Sequence, residues 1–120
     1  MYTNKKVLVV NQDKKVNEIL KKIFKENNIN ASYILYGMDA VDRIKSGKKY
    51  DYIIIEDDMR EISGYETLKR LKEIDSDIPC IILLDSNKEK IRDHYLKDGF
   101  RDYIMLNDLK NELKRIVDKY

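Results

Sequence analysis

The fold of this chain is decided by the stretch Tyr52-Ile53-Ile54-Ile55-Glu56-Asp57-Asp58-Met59, which is closed by Gly64. An apolar strand runs directly into three carboxylates, and a loop and an amphipathic helix from Gly64 to about Ile74 follow. In a parallel α/β sheet the carboxyl ends of the strands face the binding crevice. Acidic side chains at that edge therefore predict chemistry or metal binding there.

Four further apolar runs alternate with helical patterns. Helical stripes cover about 16–24, 40–44, 64–74, 87–97 and 109–117, and the predicted strands are Lys6–Val10, Ala31–Leu35, Asp51–Ile55, Cys80–Leu84 and Asp102–Met105. The first, third and fourth runs are continuous, which is typical of central strands covered on both faces. Five β-α units with right-handed crossovers predict an α/β, doubly wound (βα)5 three-layer sandwich with a parallel sheet of order 2-1-3-4-5.

Composition indicates one globular domain over residues 1–120, with 38% charged residues and a net charge of +2. The charge is uneven, because residues 1–50 hold 11 basic and 5 acidic side chains, whereas residues 51–120 hold 13 and 17. Phe24, the aromatic residue among the basic residues of the first helix, belongs to the apolar stripe of that helix, so nucleic acid is not an expected partner. No apolar run approaches the ~18 residues of a membrane span, and no signal-peptide region follows the first residues. We expect no membrane partner and a cytoplasmic location.

The topological switch point of the predicted sheet lies between strands one and three, where ligands bind in such folds. Strand one ends in Asn11-Gln12-Asp13, and strand three ends in the acidic cluster. We interpret Asp13 as the residue that starts the first helix, since Asp is a favoured N-cap. A small-ligand or nucleotide binder remains an alternative, although no Gly-rich phosphate loop follows strand one.

Along essentially its whole length the chain resembles the receiver (CheY-like) domain of two-component response regulators. The resemblance rests on the acid-Asp-Asp-Met-x-x-x-x-Gly stretch after strand three, on Asp77-Ile78-Pro79, and on the segment from Leu96 to Tyr103 before and into strand five. It implies a flavodoxin-like fold and a part in phosphorelay signal transduction. It also implies a signalling module with no catalytic residue, rather than an enzyme.

Receivers of this family accept a phosphoryl group from a histidine kinase onto an Asp at the end of strand three. An acid pair after strand one helps to hold Mg²⁺, and the metal and a Lys offset the charge of the two anions. A Thr or Ser on strand four and that Lys on strand five contact the phosphoryl oxygens. By this resemblance the acceptor position is Glu56, because Met59 and Gly64 follow it at the family's spacing of three and eight residues.

Each of these family side chains is changed here. The acid pair becomes Asn11-Gln12, the Thr or Ser position is Leu84, and the Lys position is Leu106. Amides are poor replacements for carboxylates around a hard cation, so we expect weak or absent Mg²⁺ binding and no other cofactor. We also expect Leu84 and Leu106 to flank the pocket and make it partly apolar. The degenerate pocket predicted in this way consists of Asn11, Gln12, Asp13, Asp58, Leu84 and Leu106.

These losses favour a pseudo-receiver that acts by protein–protein interaction without phosphorylation. One alternative is that Glu56 acts as a constitutive phospho-mimic; Tyr103 holds the family's switch-aromatic position, but Leu84 has no hydroxyl to couple the two. In another, Asp57 or Asp58 is a cryptic phosphoacceptor or a cation ligand. Otherwise the two aspartates are solvated loop acids that help to start the next helix.

The face formed by the fourth helix, fifth strand and fifth helix is the predicted interaction surface. Its candidate residues are Tyr95, Lys97, Arg101, Asp102 and Arg115. Receivers of the transcription-factor type dimerise there through exposed salt bridges, and Asp102 and Arg115 resemble two of those positions. Because the chain contains no output domain, we expect it to dock onto a histidine kinase, an output protein or a second copy of itself.

Overall fold

A computed structural model describes residues 5–120. Residues 1–4, to which the signal-peptide prediction refers in part, lie outside the described part, and within 5–120 no helix is long and apolar enough to cross a membrane. The elements in chain order are β1 (Lys6–Val10), α1 (Lys14–Glu26), β2 (Asn30–Ile34), α2 (Gly37–Lys45), β3 (Tyr52–Glu56), α3 (Gly64–Ile74), β4 (Cys80–Leu84), α4 (Arg92–Asp98), β5 (Asp102–Met105) and α5 (Leu109–Lys119). Short 3₁₀ helices at Ser86–Ile91 and Leu106–Asp108 precede α4 and α5.

The five strands form one parallel sheet in the order β2-β1-β3-β4-β5, which confirms the predicted topology. Strands β1, β3 and β4 are buried on both faces, as their continuous apolar runs predict. Residues of α2 and α3 pack on one face of the sheet, and residues of α1 and α5 pack on the other. The carboxyl ends of β1 and β3 therefore meet at one edge of a three-layer sandwich.

Strand boundaries differ from the prediction by one residue in β2 and β3. Strand β3 extends to Glu56, because Glu56 still pairs with Leu83 of β4. The acceptor position is thus the last residue of the strand and is held by the sheet ladder.

The prediction of a continuous fourth helix over 87–97 is wrong. The segment is a 3₁₀ helix followed by the short α4, and neither contains a buried residue. A segment with no buried apolar stripe lacks the packing that stabilises a long helix in a protein. Helix α4 ends at Gly99, whose φ of 120° is accessible mainly to glycine.

Candidate functional site

A cleft of about 260 Å³ opens at the carboxyl ends of β1, β3 and β4. The switch-point geometry brings the loops after these strands together, as the strand order requires. Five carboxylates and one ammonium group line the cleft among mostly small or apolar neighbours. The lining residues are Asn11, Asp13, Val16, Glu56, Asp57, Asp58, Leu83, Asp85, Asn87, Lys88 and Leu106.

The half-buried Glu56 side chain is already engaged within the chain. Its Oε1 accepts a hydrogen bond from the backbone N–H of Gln12 at 3.0 Å. Burial raises the pKa of Glu56, the Gln12 hydrogen bond opposes this, and the carboxylates of Asp13, Asp58 and Asp85 raise the pKa further. The negative charge at this position is therefore disfavoured by its surroundings.

Gly64 explains the spacing between the acidic cluster and the next helix. The Gly64 N–H donates to the Asp57 carbonyl at 2.9 Å, and Ser63 caps α3 by accepting from Glu66 N–H at 3.1 Å. A Cβ added at Gly64 would lie 2.5 Å from the Glu56 carbonyl oxygen. Helix α3 consequently begins in direct contact with the end of β3, which only a glycine permits.

Asn11 is buried, and its side-chain amide forms hydrogen bonds with residues at the start of the first helix. Its Nδ2 donates to Asn17 Oδ1 at 3.0 Å and to the Asp13 carbonyl at 3.2 Å, while Asn17 Nδ2 donates back to the Asn11 carbonyl at 3.2 Å. Asp13 Oδ1 accepts from the backbone N–H groups of Lys15 and Val16, which confirms it as the N-cap of α1. Asn17 was not predicted to belong to the site, although a polar residue one helical turn after the cap was a usable signal.

The backbone of Gln12 contacts the site, whereas its side chain forms hydrogen bonds with two neighbouring loops. Its Nε2 donates to the Leu35 carbonyl at 2.9 Å, and its Oε1 accepts from the Arg60 N–H at 3.2 Å. The prediction that the Gln12 side chain belongs to the pocket is therefore wrong. An amide can bridge a carbonyl and an N–H, whereas a carboxylate could only accept. Gln12 thus ties the loop after β2 to the loop after β3.

The two loop aspartates have different surroundings. Asp58 is exposed, as expected of a solvated loop acid. The same expectation is wrong for Asp57, whose Oδ2 lies 3.3 Å from Lys88 Nζ. Burial and a hydrogen bond to Asp57 raise the pKa of the Tyr95 hydroxyl to about 12. Lys88 was not predicted to belong to the site, because it lies in a polar stretch with no periodic pattern.

Leu106 lines the cleft as predicted, but Leu84 does not. Leu84 is completely buried in the core cluster that contains Ile82 and Met105. Side chains alternate along a strand, so Leu83 faces the cleft and Leu84 the opposite side of the sheet. The apolar part of the cleft therefore comes from Leu83 and Leu106.

Tyr103, at the switch-aromatic position, is held between two cations. Its half-buried ring centre lies 5.0 Å from the Arg92 guanidinium carbon and 5.2 Å from that of Arg115. Guanidinium groups at this distance are attracted to an aromatic face. The ring is consequently in contact with cations of both α4 and α5.

Asp102 is only 4% exposed, so the prediction that it lies exposed on the interaction surface is wrong. Its carboxylate accepts from Arg115 Nη1 and Lys119 Nζ at 3.1 Å, and from the Tyr120 hydroxyl at 2.8 Å. Burial alone raises the pKa of Asp102, but these bonds and one from the Tyr103 N–H outweigh burial and hold the pKa below its ordinary value. The Asp102–Arg115 pair therefore stabilises this chain internally.

Other residues of the predicted face remain accessible. Lys97 and Arg101 are exposed, and the large apolar side chains of Ile91 and Leu96 are 40% and 37% exposed. Tyr95 is half-buried, with its ring centre 6.1 Å from that of Phe100. We refer to Ile91, Leu96, Lys97 and Arg101 together as the α4 surface.

The donor set at the cleft does not fit Mg²⁺ as the family would hold it. The Asn11 amide bonds to Asn17, and the Gln12 amide bridges two loops. Across residues 5–120 no three Asp, Glu, His or Cys side chains are arranged to hold a metal ion. Hard cations require several oxygen ligands that converge on one point.

Comparisons with known proteins agree with this fold. A family profile described as the response regulator receiver domain matches residues 7–118. The receiver domain of Francisella response regulator 1452 is 32% identical, with a TM-score of 0.84 and coverage of 96% of this chain and 94% of that chain. Thermotoga maritima TrrA, solved with Mg²⁺ and BeF, is 26% identical, with a TM-score of 0.79 and coverage of 96% and 97%.

Among curated proteins, the response regulator SaeR of Staphylococcus epidermidis is 29% identical over 98 residues. The match covers 82% of this chain and 42% of SaeR, so the chain spans less than half of that relative's length. The family profile, in contrast, matches nearly the whole chain. The chain belongs to the response regulator receiver domain family of two-component systems.

Proposed function

We propose that this chain is a pseudo-receiver, which transmits signals by binding a protein partner and not by accepting a phosphoryl group or catalysing a reaction. We place this activity in the cytoplasm. The observation that carries the proposal is the state of Glu56, which occupies the acceptor position. Its carboxylate accepts a hydrogen bond from the Gln12 N–H and is surrounded by further carboxylates, so the site already contains several acidic groups.

Charge balance argues against phosphoryl transfer at this cleft. A phosphoryl group would add negative charge to a site lined by five carboxylates. Phosphoryl transfer requires cationic groups aimed at the developing charge. The one ammonium group among the lining residues belongs to Lys88, which is paired with Asp57, and Leu106 provides none at the end of β5.

In receivers a Thr or Ser and an aromatic residue couple the acceptor residue to the interaction surface, and this coupling is disrupted here. Leu84 is buried in the core and has no hydroxyl, so it cannot follow a phosphoryl oxygen. Tyr103 is anchored between Arg92 and Arg115. The Glu56 side chain bonds to the loop after β1, and within residues 5–120 it makes no side-chain hydrogen bond to β4 or β5, which weighs against a permanent phospho-mimic. We infer that the face formed by α4, β5 and α5 has one fixed conformation.

The α4 surface is the part of that face that can contact a partner. It combines two exposed apolar side chains, Ile91 and Leu96, with the exposed cations Lys97 and Arg101. Exposed ion pairs contribute little, so the apolar side chains would supply most of the binding free energy. A histidine kinase, an output protein or a second copy of this chain would fit this surface.

Phosphorylation is tested by incubating the protein with acetyl phosphate and Mg²⁺ and measuring its intact mass. We expect no phosphoryl adduct on the wild type. The matched control carries Glu56→Asp, Asn11→Asp and Leu106→Lys, all at residues that line the cleft, and should acquire one. An adduct on the wild type that is lost in Asp57→Asn or Asp58→Asn would overturn the proposal in favour of a cryptic acceptor.

Partner binding is tested separately by light scattering and by titration with a cognate kinase or output domain. Binding should be equal before and after acetyl phosphate treatment, and should weaken in Leu96→Ser. Lys114→Ser on α5 serves as the control. Binding that requires acetyl phosphate, or that Leu96→Ser leaves unchanged, would contradict the assignment of the α4 surface.

A further inference from the structure

A second cleft, of about 310 Å³, lies at the opposite edge of the sheet from Glu56. Its position follows from the elements, because Lys6 and Asn30 begin β1 and β2, and Lys48, Lys49 and Tyr50 precede β3. Four of its seven lining residues are cationic. We name this site the basic cleft, and its lining residues are Lys6, Asn30, Ser32, Arg43, Lys48, Lys49 and Tyr50.

The four cations of the basic cleft have no ion-pair partner within residues 5–120. The adjoining carboxylate, that of Asp51, accepts from the backbone N–H of Lys6 at 2.7 Å and is not among the lining residues. Residues 1–4 are Met, Tyr, Thr and Asn, so they bring no carboxylate either. Like charges around one cavity repel each other, and a bound anion would offset that repulsion.

Part of the cleft wall is fixed in position. Arg43 Nη1 donates to the Tyr50 hydroxyl at 3.2 Å, and the half-buried Tyr50 packs against the hydrophobic core. The Lys48 N–H donates to the Arg43 carbonyl at 3.1 Å, which ties the loop to the end of α2. A guanidinium has five N–H donors, so most of those of Arg43 remain available for an oxyanion.

We propose that the basic cleft binds a compact, multiply charged phosphate anion, either inorganic diphosphate or the diphosphate of a nucleotide. The size of the cleft suits such a group, and its cations, hydroxyls and the Asn30 amide are phosphate-binding groups. The Arg43 fork would bind two oxygens, with Lys48 and Lys49 closing over the anion. This site is independent of phosphorylation at the other edge of the sheet, so either proposal can fail without the other.

The test is a titration of ¹⁵N-labelled protein with sodium pyrophosphate in metal-free buffer, with NaCl adjusted to constant ionic strength. Saturable shifts should appear at the amides of Ser32, Lys48, Lys49 and Tyr50. Arg43→Gln should weaken binding by about tenfold or more, as expected for loss of charge-assisted hydrogen bonds. Lys48→Gln should weaken it as well, and this exposed site tests the proposal even if Arg43→Gln unfolds the protein.

The control variant, Lys114→Gln on α5, removes the same charge elsewhere and should leave the affinity within about twofold, the effect of a distant screened charge. A parallel titration with ADP separates the two sources: tighter binding than pyrophosphate indicates a nucleotide, and equal or weaker binding indicates the inorganic anion. Linear, non-saturating shifts, or equal weakening by Lys114→Gln, would overturn the proposal. So would saturable binding of a tetraglutamate peptide without binding of pyrophosphate.

Discussion

The two ends of the sheet carry opposite charge and use it differently. At the carboxyl ends of β1, β3 and β4, five carboxylates line a cleft in which the side chains of Asn11 and Glu56 form hydrogen bonds within the chain. At the amino ends of β1 and β2, four cations line a cleft with no ion pair among residues 5–120. Side chains at the carboxyl ends are thus engaged in internal contacts, whereas the cations at the opposite edge have no ion-pair partner within the described residues.

The region around Asp102, at the amino end of β5, shows how ion pairs neutralise cations at this end of the sheet. Asp102, the first residue of β5, gathers Arg115, Lys119 and Tyr120 around one buried carboxylate. Within residues 5–120 no acid pairs with the cations beside β1 and β2 in this way, and the Asp51 carboxylate accepts from the backbone N–H of Lys6. The amino ends of the strands therefore lie beside two groups of cations: those paired with Asp102 stabilise the fold, and the unpaired ones of the basic cleft do not.

The largest effect is expected for Asp102→Ala, which would leave its cationic partners without a counter-charge. We expect a loss of about 3 kcal/mol in the free energy of unfolding, the low end for breaking a buried ion pair, because Arg115 and Lys119 also reach solvent. Urea denaturation at pH 7 measures it. Asp118→Ala, an exposed position on α5, should change stability by no more than about 0.5 kcal/mol.

The same group gives a pH dependence with a definite sign. The pKa of Asp102 in the folded protein is lowered from 3.8, so its stabilisation is present above that pH and is lost as the pH falls through the lowered value. Asp102→Ala should therefore approach the wild type in stability at low pH. A gap that stays constant down to pH 2 would show that packing, and not charge, holds this region together.

Gly64→Ala tests how tightly the carboxyl edge is built. The added Cβ would meet the backbone carbonyl of Glu56, which cannot move aside, so we expect a loss of about 3 kcal/mol, as for severe overpacking. The control is Gly47→Ala before β3, where φ is 93° and no atom lies within 4 Å of the added Cβ. That change should cost about 1 kcal/mol, from backbone strain alone. Equal losses in the two variants would contradict the close contact at Gly64.

Glu56→Gln should stabilise the protein at neutral pH. The pKa of Glu56 is raised from 4.5, so its ionised form disfavours the folded state at a pH above the raised value, and this penalty vanishes as the pH falls below 4.5. The Gln12 N–H can still donate to the new amide oxygen. We expect a higher urea midpoint than the wild type at pH 7.5 and a smaller difference at pH 4. A lower midpoint at pH 7.5 would show that the Glu56 charge is needed there.

The smallest effect is expected for Lys88→Gln, which removes the ion pair with Asp57. Because Lys88 is 37% exposed, we expect a loss below about 1 kcal/mol. Lys90→Gln, also in the 3₁₀ helix, removes an exposed ammonium that has no ion pair within residues 5–120 and should change nothing measurable. A loss of several kcal/mol for Lys88→Gln would mean that the cleft depends on its one cation.

The strand order was predictable because it follows from burial alone. Continuous apolar runs mark β1, β3 and β4 as central, and the predicted bounds of β2 and β3 are each displaced by one residue. The fourth helix was not predictable to the same degree, because Ser86–Ile91 contains no buried residue that would fix its geometry.

Side-chain direction and long-range pairing were harder to predict. Sequence places Leu84 at the family's Thr or Ser position, but the pleat turns it into the core and brings Leu83 to the cleft. The partners of Asp102 lie up to 18 residues away on α5, and their approach depends on how that helix packs. The basic cleft likewise depends on how the end of α2 packs beside the amino ends of β1 and β2. No short-range hydrophobic periodicity in the sequence predicts that packing.

In a pseudo-receiver, the face formed by α4, β5 and α5 does not respond to the phosphoryl site. This is tested by titrating Mg²⁺ with beryllofluoride, a phosphoryl analogue, into ¹⁵N-labelled protein and following the amides of Asn11, Glu56 and Tyr103. We expect no saturable shift at any of the three at millimolar Mg²⁺. Saturable shifts at Asn11 and Glu56 that extend to Tyr103 would contradict it, because they would show that acceptor and switch are still coupled.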